Sequence, residues 1–335
     1  MSADRARGSA QIDPVGSGLV LGFVLDRLLG DPERLHPVAG FGQIALAVER
    51  RLWAPSRARG VAHEALLVTP VILLGALLTP GARPCGRAGT DLGQKAATAL
   101  VVAGSTWVVL GGRSLEREAD LLHGMLTRGE LDAARDRVRH LVGRDPTELD
   151  ADEVARACLE SVAENTADAV VAPLFWGALA GAPGLLGYRA INTLDAMVGH
   201  RTERYRSFGW AAARVDDAAN VLPARLTVLA TALARPRALH AIARAVREDA
   251  PAHPSPNAGP VEAAAAAALG VRLGGANTYE GVAEDRGHLG RGPAPSATDI
   301  PRGTALLRST TWISLGLVVV GRMLVRAARQ RRLWS

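Results

Sequence analysis

The run ALLVTPVILLGALLTP, Ala65–Pro80, carries no charged side chain over a length close to the roughly 17–25 residues of a membrane-spanning helix. A second such run, AATALVVAGSTWVVLGG, covers Ala96–Gly112. Both are flanked by arginine-rich segments, which favours membrane spans over two buried helices of a soluble protein. The spacing predicts a helical hairpin across the bilayer, with Gly81–Lys95 as its loop.

Two weaker apolar segments lie outside this pair. VGSGLVLGFVLDRLLG, Val15–Gly30, is interrupted late by Asp26 and Arg27, and no small-residue cleavage site precedes GDPERLHPV. It reads as a retained helix in the membrane or at its edge. STTWISLGLVVVGRMLV, Ser309–Val325, runs into the basic tail RAARQRRLWS. The fold class expected is all-α: a helical integral membrane protein whose amphipathic helices form a site at the cytoplasmic face.

Bulk composition agrees. Hydrophobic residues are 48% of the 335, charged residues only 21%, and the net charge of +6 comes from 39 cationic side chains, nearly all arginine. No zinc-finger spacing, basic heptad or aromatic RNA-binding signature accompanies that charge, so anionic lipid or a phosphorylated small substrate fits better than nucleic acid. Cys85 and Cys158 stand far apart in no metal-ligand spacing. GTDLGQK, Gly89–Lys95, has the wrong spacing for a phosphate-binding Gly-rich loop.

Residues 1–13 are polar and read as loose, and 14–112 as membrane helices. Residues 113–167 turn charge-rich, with leucine and valine at helical spacing, and read as soluble amphipathic helices. Residues 168–303 form a broken membrane segment and a catalytic region, and 304–335 the last helix and tail. The break falls in Ala169–Leu186, an apolar run holding Pro173 and GAPG, which predicts a re-entrant segment with its freed backbone groups facing protein or water. Basic clusters near Arg50, Arg113–Arg139 and Arg326–Arg332 are all placed on the cytoplasmic side by loop charge.

Three polar stretches carry the chemistry. On a helix, Glu160, Glu164 and Asp168 fall at i, i+4 and i+8 on one face, where like charges repel unless a cation relieves them; Asn165 lies beside them. HRTERYRSFGWAAARVDDAANVLPARLT, His200–Thr227, sets arginines close to Asp216 and Asp217, with Asn220 one turn beyond Asp216. Paired aspartates with a second carboxylate group suit Mg²⁺ held against substrate phosphates, and arginines suit the phosphates themselves. In EDAPAHPSPNAGPVEAAAAAALG, Glu248–Gly270, the prolines would present His253, Ser255 and Asn257 as an alternating row, with Asn257 capping an Ala-rich helix. A solvated acidic helix end, a surface salt-bridge network and a capped loop are the plain alternatives. GDPERLHPVAGFG adds Asp31 and His36 at a helix end.

GDPERLHPV, ESVAENTADAVVAPLFWGALAGAPG, YRAINTLDAMVGHRTERYRSFGWAAARVDDAANVLPARLT and HPSPNAGPVEAAAAAALGVRLGG, in that order from about Gly30 to Gly275, resemble the CbiB/CobD family of cobalamin biosynthesis, the adenosylcobinamide-phosphate synthases. Ala169 and His200 stand where the family pattern suggests glycine and an aromatic. The resemblance implies a multi-pass enzyme of the cell membrane that consumes ATP with Mg²⁺. It would join aminopropanol, preferably its phosphate, to the free propionate carboxylate of adenosylcobyric acid. On that basis Glu164, Asp168, Asp216 and Asp217 would hold the metal, and Arg201, Arg204 and Arg214 the phosphates. Glu160 or Asp195 would take the amine proton, and His253, Ser255 and Asn257 would shape the cleft. Asp31, His36, Asn192, Tyr205, Asn220, Arg225 and Glu262 fall in the matched stretches as further substrate contacts. The partners implied are the corrinoid, the amino alcohol phosphate and membrane lipid, with a second copy of the chain as a candidate homo-oligomer partner and no nucleic acid. Two rival functions are a Mg-dependent membrane prenyl- or phosphoalcohol transferase and a non-catalytic regulator related to the AmpE proteins.

Overall fold

The computed structural model describes residues 13–31, 36–80, 91–142, 145–200, 202–279 and 282–332. It is a helical membrane protein, and three of its helices are long and apolar enough to cross a bilayer: α3 (Arg57–Leu78), α4 (Asp91–Val109) and α13 (Ile300–Arg332). On α3, Leu66, Leu73 and Leu77 are exposed along one stripe, while Gly60, Glu64, Leu67, Val68 and Gly75 are buried along the other. A helix in lipid divides this way, with large apolar side chains outward and small or polar ones toward its neighbours.

The expected hairpin of the two central runs does not form as a packed pair. Instead α4 lies against α1 (Pro14–Leu29), and α3 lies against α9 (Ala182–Val198). Glycines decide the partners. A Cβ on Gly18 would stand 2.7 Å from the Ala99 carbonyl oxygen, and one on Gly22 would stand 2.4 Å from Thr106 Cβ. These two glycines, four residues apart, let the α1 and α4 backbones approach as small-xxx-small pairs do in membranes. Gly75 does the same for α3 against Pro183, and Gly187 for α9 against Ile72. Sequence adjacency favoured the wrong pair because it carries no information about where small residues let backbones meet.

Helix α13 runs antiparallel to α1. Phe23 meets Trp312 edge-on, Arg27 donates to Thr311 Oγ1 at one end, and Arg322 and Arg326 bond Asp13 at the other. Arg113 lies beside Gly30, at the Arg27 end. The tail beginning at Arg326 is therefore at the opposite end of α1 from Arg113, about 24 Å away by helix rise. The expectation that all three basic clusters share one side is corrected here: loop charge alone does not register which way the last helix runs.

At the Arg27 end sit α2 (Pro37–Leu52) and an amphipathic group: α5 (Gly112–Thr127), α6 (Leu131–Val138) and α7 (Ala151–Thr166). Their apolar stripes close on one another through Leu115, Leu122, Val138, Val154 and Val162. Asp150 and Glu153 start α7 with a reciprocal capping box.

The break after α7 is a π-turn, Ala167–Val171, rather than an interruption at Pro173, which stands harmlessly in the first turn of α8 (Ala172–Ala180). The turn's loosened Ala169 carbonyl accepts from Gly111 N at 3.2 Å. Gly181, with φ 67°, then reverses the chain into α9. Helices α10 (Trp210–Ala234), α11 (Leu239–Glu248) and α12 (Ala258–Leu269) follow. The one departure from all-α among the described residues is an antiparallel hairpin, β1 (Leu273–Tyr279) with β2 (Val282–Leu289).

Candidate active site

Four elements bring carboxylates into one crevice: α7 supplies Glu164, the π-turn Asp168, α9 Asp195 and α10 Asp216 with Asp217. The π-turn matters because one extra residue per turn swings Asp168 off the face that carries Glu160, and such bulges recur at functional sites. Asp216 is the best anchored. Asn220, one turn along α10, donates Nδ2 to Asp216 Oδ2 at 2.9 Å, and Asn192 of α9 donates to Oδ1 at 3.4 Å. Tyr188, one turn before Asn192, donates its hydroxyl to Asn220 Oδ1 at 2.9 Å. The Tyr188–Asn220–Asp216 relay fixes which amide face meets the carboxylate.

Burial and mutual repulsion act together on the group. Burial pushes Asp216 up to about 6 against the pull of its two asparagine donors, with Asp217 and Glu164 adding repulsion. Asp195 is pushed up to about 7 by burial, then by Asp216, Asp217, Glu164 and Glu64. Glu164 is raised by burial, opposed by Arg286 of β2. Asp168 is raised further, by burial and then by Asp216, Glu164 and Asp195, with Arg189 opposing. Several carboxylates within one another's field in a low-dielectric crevice make a site that gains by admitting a cation.

The donor set is the hard-oxygen type that Mg²⁺ takes. Among the described residues, however, no three His, Cys, Asp or Glu side chains converge to enclose an ion as they stand. A Mg²⁺ that keeps its waters and takes one or two carboxylates plus phosphate oxygens needs no such cage. By charge and donor chemistry the residues fit; they do not form a closed cage.

The loop His253–Asn257 adjoins this crevice rather than opening as a row. His253 Nδ1 accepts from Ser255 N at 3.1 Å, and its Nε2 faces Glu262 Oε1 at 3.7 Å, both side chains buried. Burial pushes His253 down to about 4, with Arg286 also acting against its charge. Neutral, with Nδ1 occupied, it holds the loop's shape. Ser255 Oγ, not Asn257, receives the first N–H groups of α12, at 3.3 Å from Asn257 N and 3.1 Å from Ala258 N. The Asn257 side chain instead donates to the Asp217 carbonyl at 2.7 Å and accepts from Arg225 at 2.8 Å. A groove of about 500 Å³ runs along the outer side of this loop, between Arg225 and the prolines.

Several expected residues have other tasks. Glu160 accepts from Gly274 N at 2.8 Å and anchors the β hairpin. Asn165 is tied back to Ser161. Arg204 and Tyr205 both bind Glu49 of α2, at 3.0 and 2.9 Å, and Arg204 stacks on Trp53. His36 caps α2 by accepting from Val38 N. Arg214 is exposed, two residues before Asp216 and so turned away from it. Arg201 lies outside the described residues. The cations beside the carboxylates are instead Arg189, whose charge also meets Asp31, and Arg286. Neither they nor Glu64 were singled out from sequence. A carboxylate directly ahead of the Ala65–Pro80 apolar run was the available signal.

The sequence profile described as CobD/Cbib protein matches residues 19–307. The chain belongs to the CobD/CbiB family. A "Cobalamin biosynthesis protein CobD" of Mycobacterium tuberculosis is 46% identical over 93% of this chain and 96% of its own length. Proteins of the same description from Chromobacterium violaceum and Geobacter metallireducens are 43% and 42% identical, over 92% and 87% of this chain and 97% and 92% of theirs. No solved structure matches the chain. In this CobD/CbiB member Asn192 and Asn220, both from matched stretches, bond Asp216, and the His253–Asn257 loop is bonded to the backbone of Asp217.

Proposed function

We propose that this CobD/CbiB protein is an amide ligase of cobalamin biosynthesis. It joins (R)-1-aminopropan-2-ol phosphate, or aminopropanol, to the free propionate carboxylate of adenosylcobyric acid, with ATP as co-substrate and Mg²⁺ as cofactor. The observation that carries this reading is the Asp216 anchorage: a buried carboxylate oriented by two asparagines amid other carboxylates, at the junction of membrane and soluble helices.

A carboxylate at neutral pH resists attack by an amine and must first be activated, most simply as an acyl phosphate formed from ATP with release of ADP; the amine would then displace inorganic phosphate to give the amide. Mg²⁺, when bound, supplies the positive charge that draws phosphates together and offsets charge on the transferring group. Asp216 and Asp168, with Glu164 and Asp217, would hold it. Arg189 and Arg286 would supply cationic character for phosphate oxygens in place of Arg204, which is already paired to Glu49. Asp195, pushed up to about 7, is the group suited to take the proton released when the amine attacks. The His253–Asn257 loop would form one wall of the cleft.

The arginine-rich α5–α7 side favours the cytoplasm as the compartment the cleft opens to. The test is detergent-purified protein with adenosylcobyric acid, aminopropanol phosphate, ATP and Mg²⁺, read by mass spectrometry of the corrinoid. The expected mass gain is that of the amide, and it disappears when ATP or Mg²⁺ is left out. No product from folded protein with every substrate present would refute the ligase reading and favour an AmpE-like regulatory role.

A further inference from the structure

We infer that Glu64, a carboxylate on the membrane helix α3, is an additional ligand for the divalent cation of this crevice. The inference rests on the cation reading given above and extends it to a residue inside a membrane span.

Glu64 stands one turn beyond Gly60, where a Cβ would stand only 1.9 Å from the Phe208 carbonyl oxygen just ahead of α10. One turn further on, Leu67 and Val68 pack with Leu194 of α9 and Ala212 of α10. Helical periodicity therefore aims Glu64 into the gap between α9 and α10, where Asp195 and Asp216 lie. Its charge is felt by Asp195, and it feels that of Asp216.

The side chain is 7% exposed, and among the described residues neither carboxylate oxygen has a hydrogen-bond partner. Protonation does not resolve this, because a carboxylic acid needs an acceptor for its O–H as much as a carboxylate needs donors. His63, the adjacent polar group on α3, is turned to the Ala45 carbonyl. A buried ionisable group in a membrane helix, without a partner and aimed at other carboxylates, is accounted for by a positive ligand that arrives from outside. A divalent ion answers the charge of Glu64 and of Asp216 at once. With Glu64 as a ligand, the cation would tie α3 to α9 and α10.

The test is Mn²⁺ titration of the full-length protein in detergent, read by electron paramagnetic resonance, for wild type, Glu64→Gln, Glu64→Asp and Asp216→Asn. Glu64→Gln keeps the shape and removes a buried charge, so its melting temperature in EDTA should equal or exceed that of wild type. The expected result is one Mn²⁺ site in wild type, weakened about tenfold or more by Glu64→Gln and by Asp216→Asn, with Glu64→Asp between. Wild-type affinity in folded Glu64→Gln, with loss in Asp216→Asn, would overturn the role of Glu64 and leave the cation reading standing. Absence of any Mn²⁺ site in folded wild type would overturn both.

Discussion

Replacing Asp195 by asparagine should make the metal-free protein more stable at pH 8, an unusual outcome for a change in a candidate active site. Among the described residues Asp195 has no side-chain donor to offset its burial, and Asp216, Asp217, Glu164 and Glu64 repel its charge, which together with burial push it up to about 7. Its ordinary value is 3.8. A group raised in the folded state contributes stability that is full below the unfolded value and lost as pH climbs through the folded one. For Asp195 that window runs from about 4 to about 7. At about 1.4 kcal/mol per unit the full shift corresponds to about 4 kcal/mol. Asp195 is only half-buried, so water screens part of this, and about 2 kcal/mol is the better figure. In a chain this long, that is a rise of roughly 3 °C in melting temperature. Thermal unfolding in detergent with EDTA, at pH 5 and pH 8, measures it. The gain should appear at pH 8, shrink at pH 5, and shrink again at pH 8 when Mg²⁺ is added to both proteins. An asparagine variant equally stable or less stable than wild type at both pH values would refute the idea that repulsion among carboxylates dominates the empty crevice.

Glu160→Ala should lower stability by about 1–3 kcal/mol, because Gly274 N loses its acceptor. Glu160→Gln keeps that acceptor and should keep most of the activity; complete loss of activity in it would restore Glu160 as the base. Asn257→Ala breaks two bonds that pin the loop to Asp217 and Arg225, and should cost about 1–3 kcal/mol while speeding proteolysis within the loop. Gly22→Leu should prevent α1 from seating on α4, since even a Cβ there would sit 2.5 Å from the Ala103 carbonyl oxygen; size-exclusion of detergent-solubilised protein should show aggregate in place of a discrete peak.

The membrane helices were legible because hydrophobic length is a one-dimensional property: α3, α4 and α13 hold all but the last few residues of the runs read from sequence. Pairing was not, because it depends on glycines such as Gly18 and Gly75 meeting backbone from distant segments. The β hairpin was obscured by glycines at Gly274, Gly275 and Gly287, whose positive φ angles interrupt any alternation of side chains. Within the candidate site, Glu164, Asp168, Asp216 and Asn220 could be grouped by helical spacing because each lies near its partners in sequence. Arg204 and Tyr205 were grouped with them for the same reason. Proximity to Asp216 in sequence suggested a shared cleft, whereas Glu49, far off in sequence, was the nearer charge in space. Arg189 and Arg286 looked like ordinary helix and loop cations until the fold placed their charges beside Asp168 and Glu164.

The most direct test of the account sets wild type beside Asp216→Asn in the corrinoid assay, with ATP, Mg²⁺, adenosylcobyric acid and aminopropanol phosphate supplied to both. The account predicts the amide product from wild type and at least a hundredfold less from a folded Asp216→Asn, on the order expected when a charge-stabilising group is removed. Equal product from the two would contradict it and place the chemistry away from the Asp216 crevice.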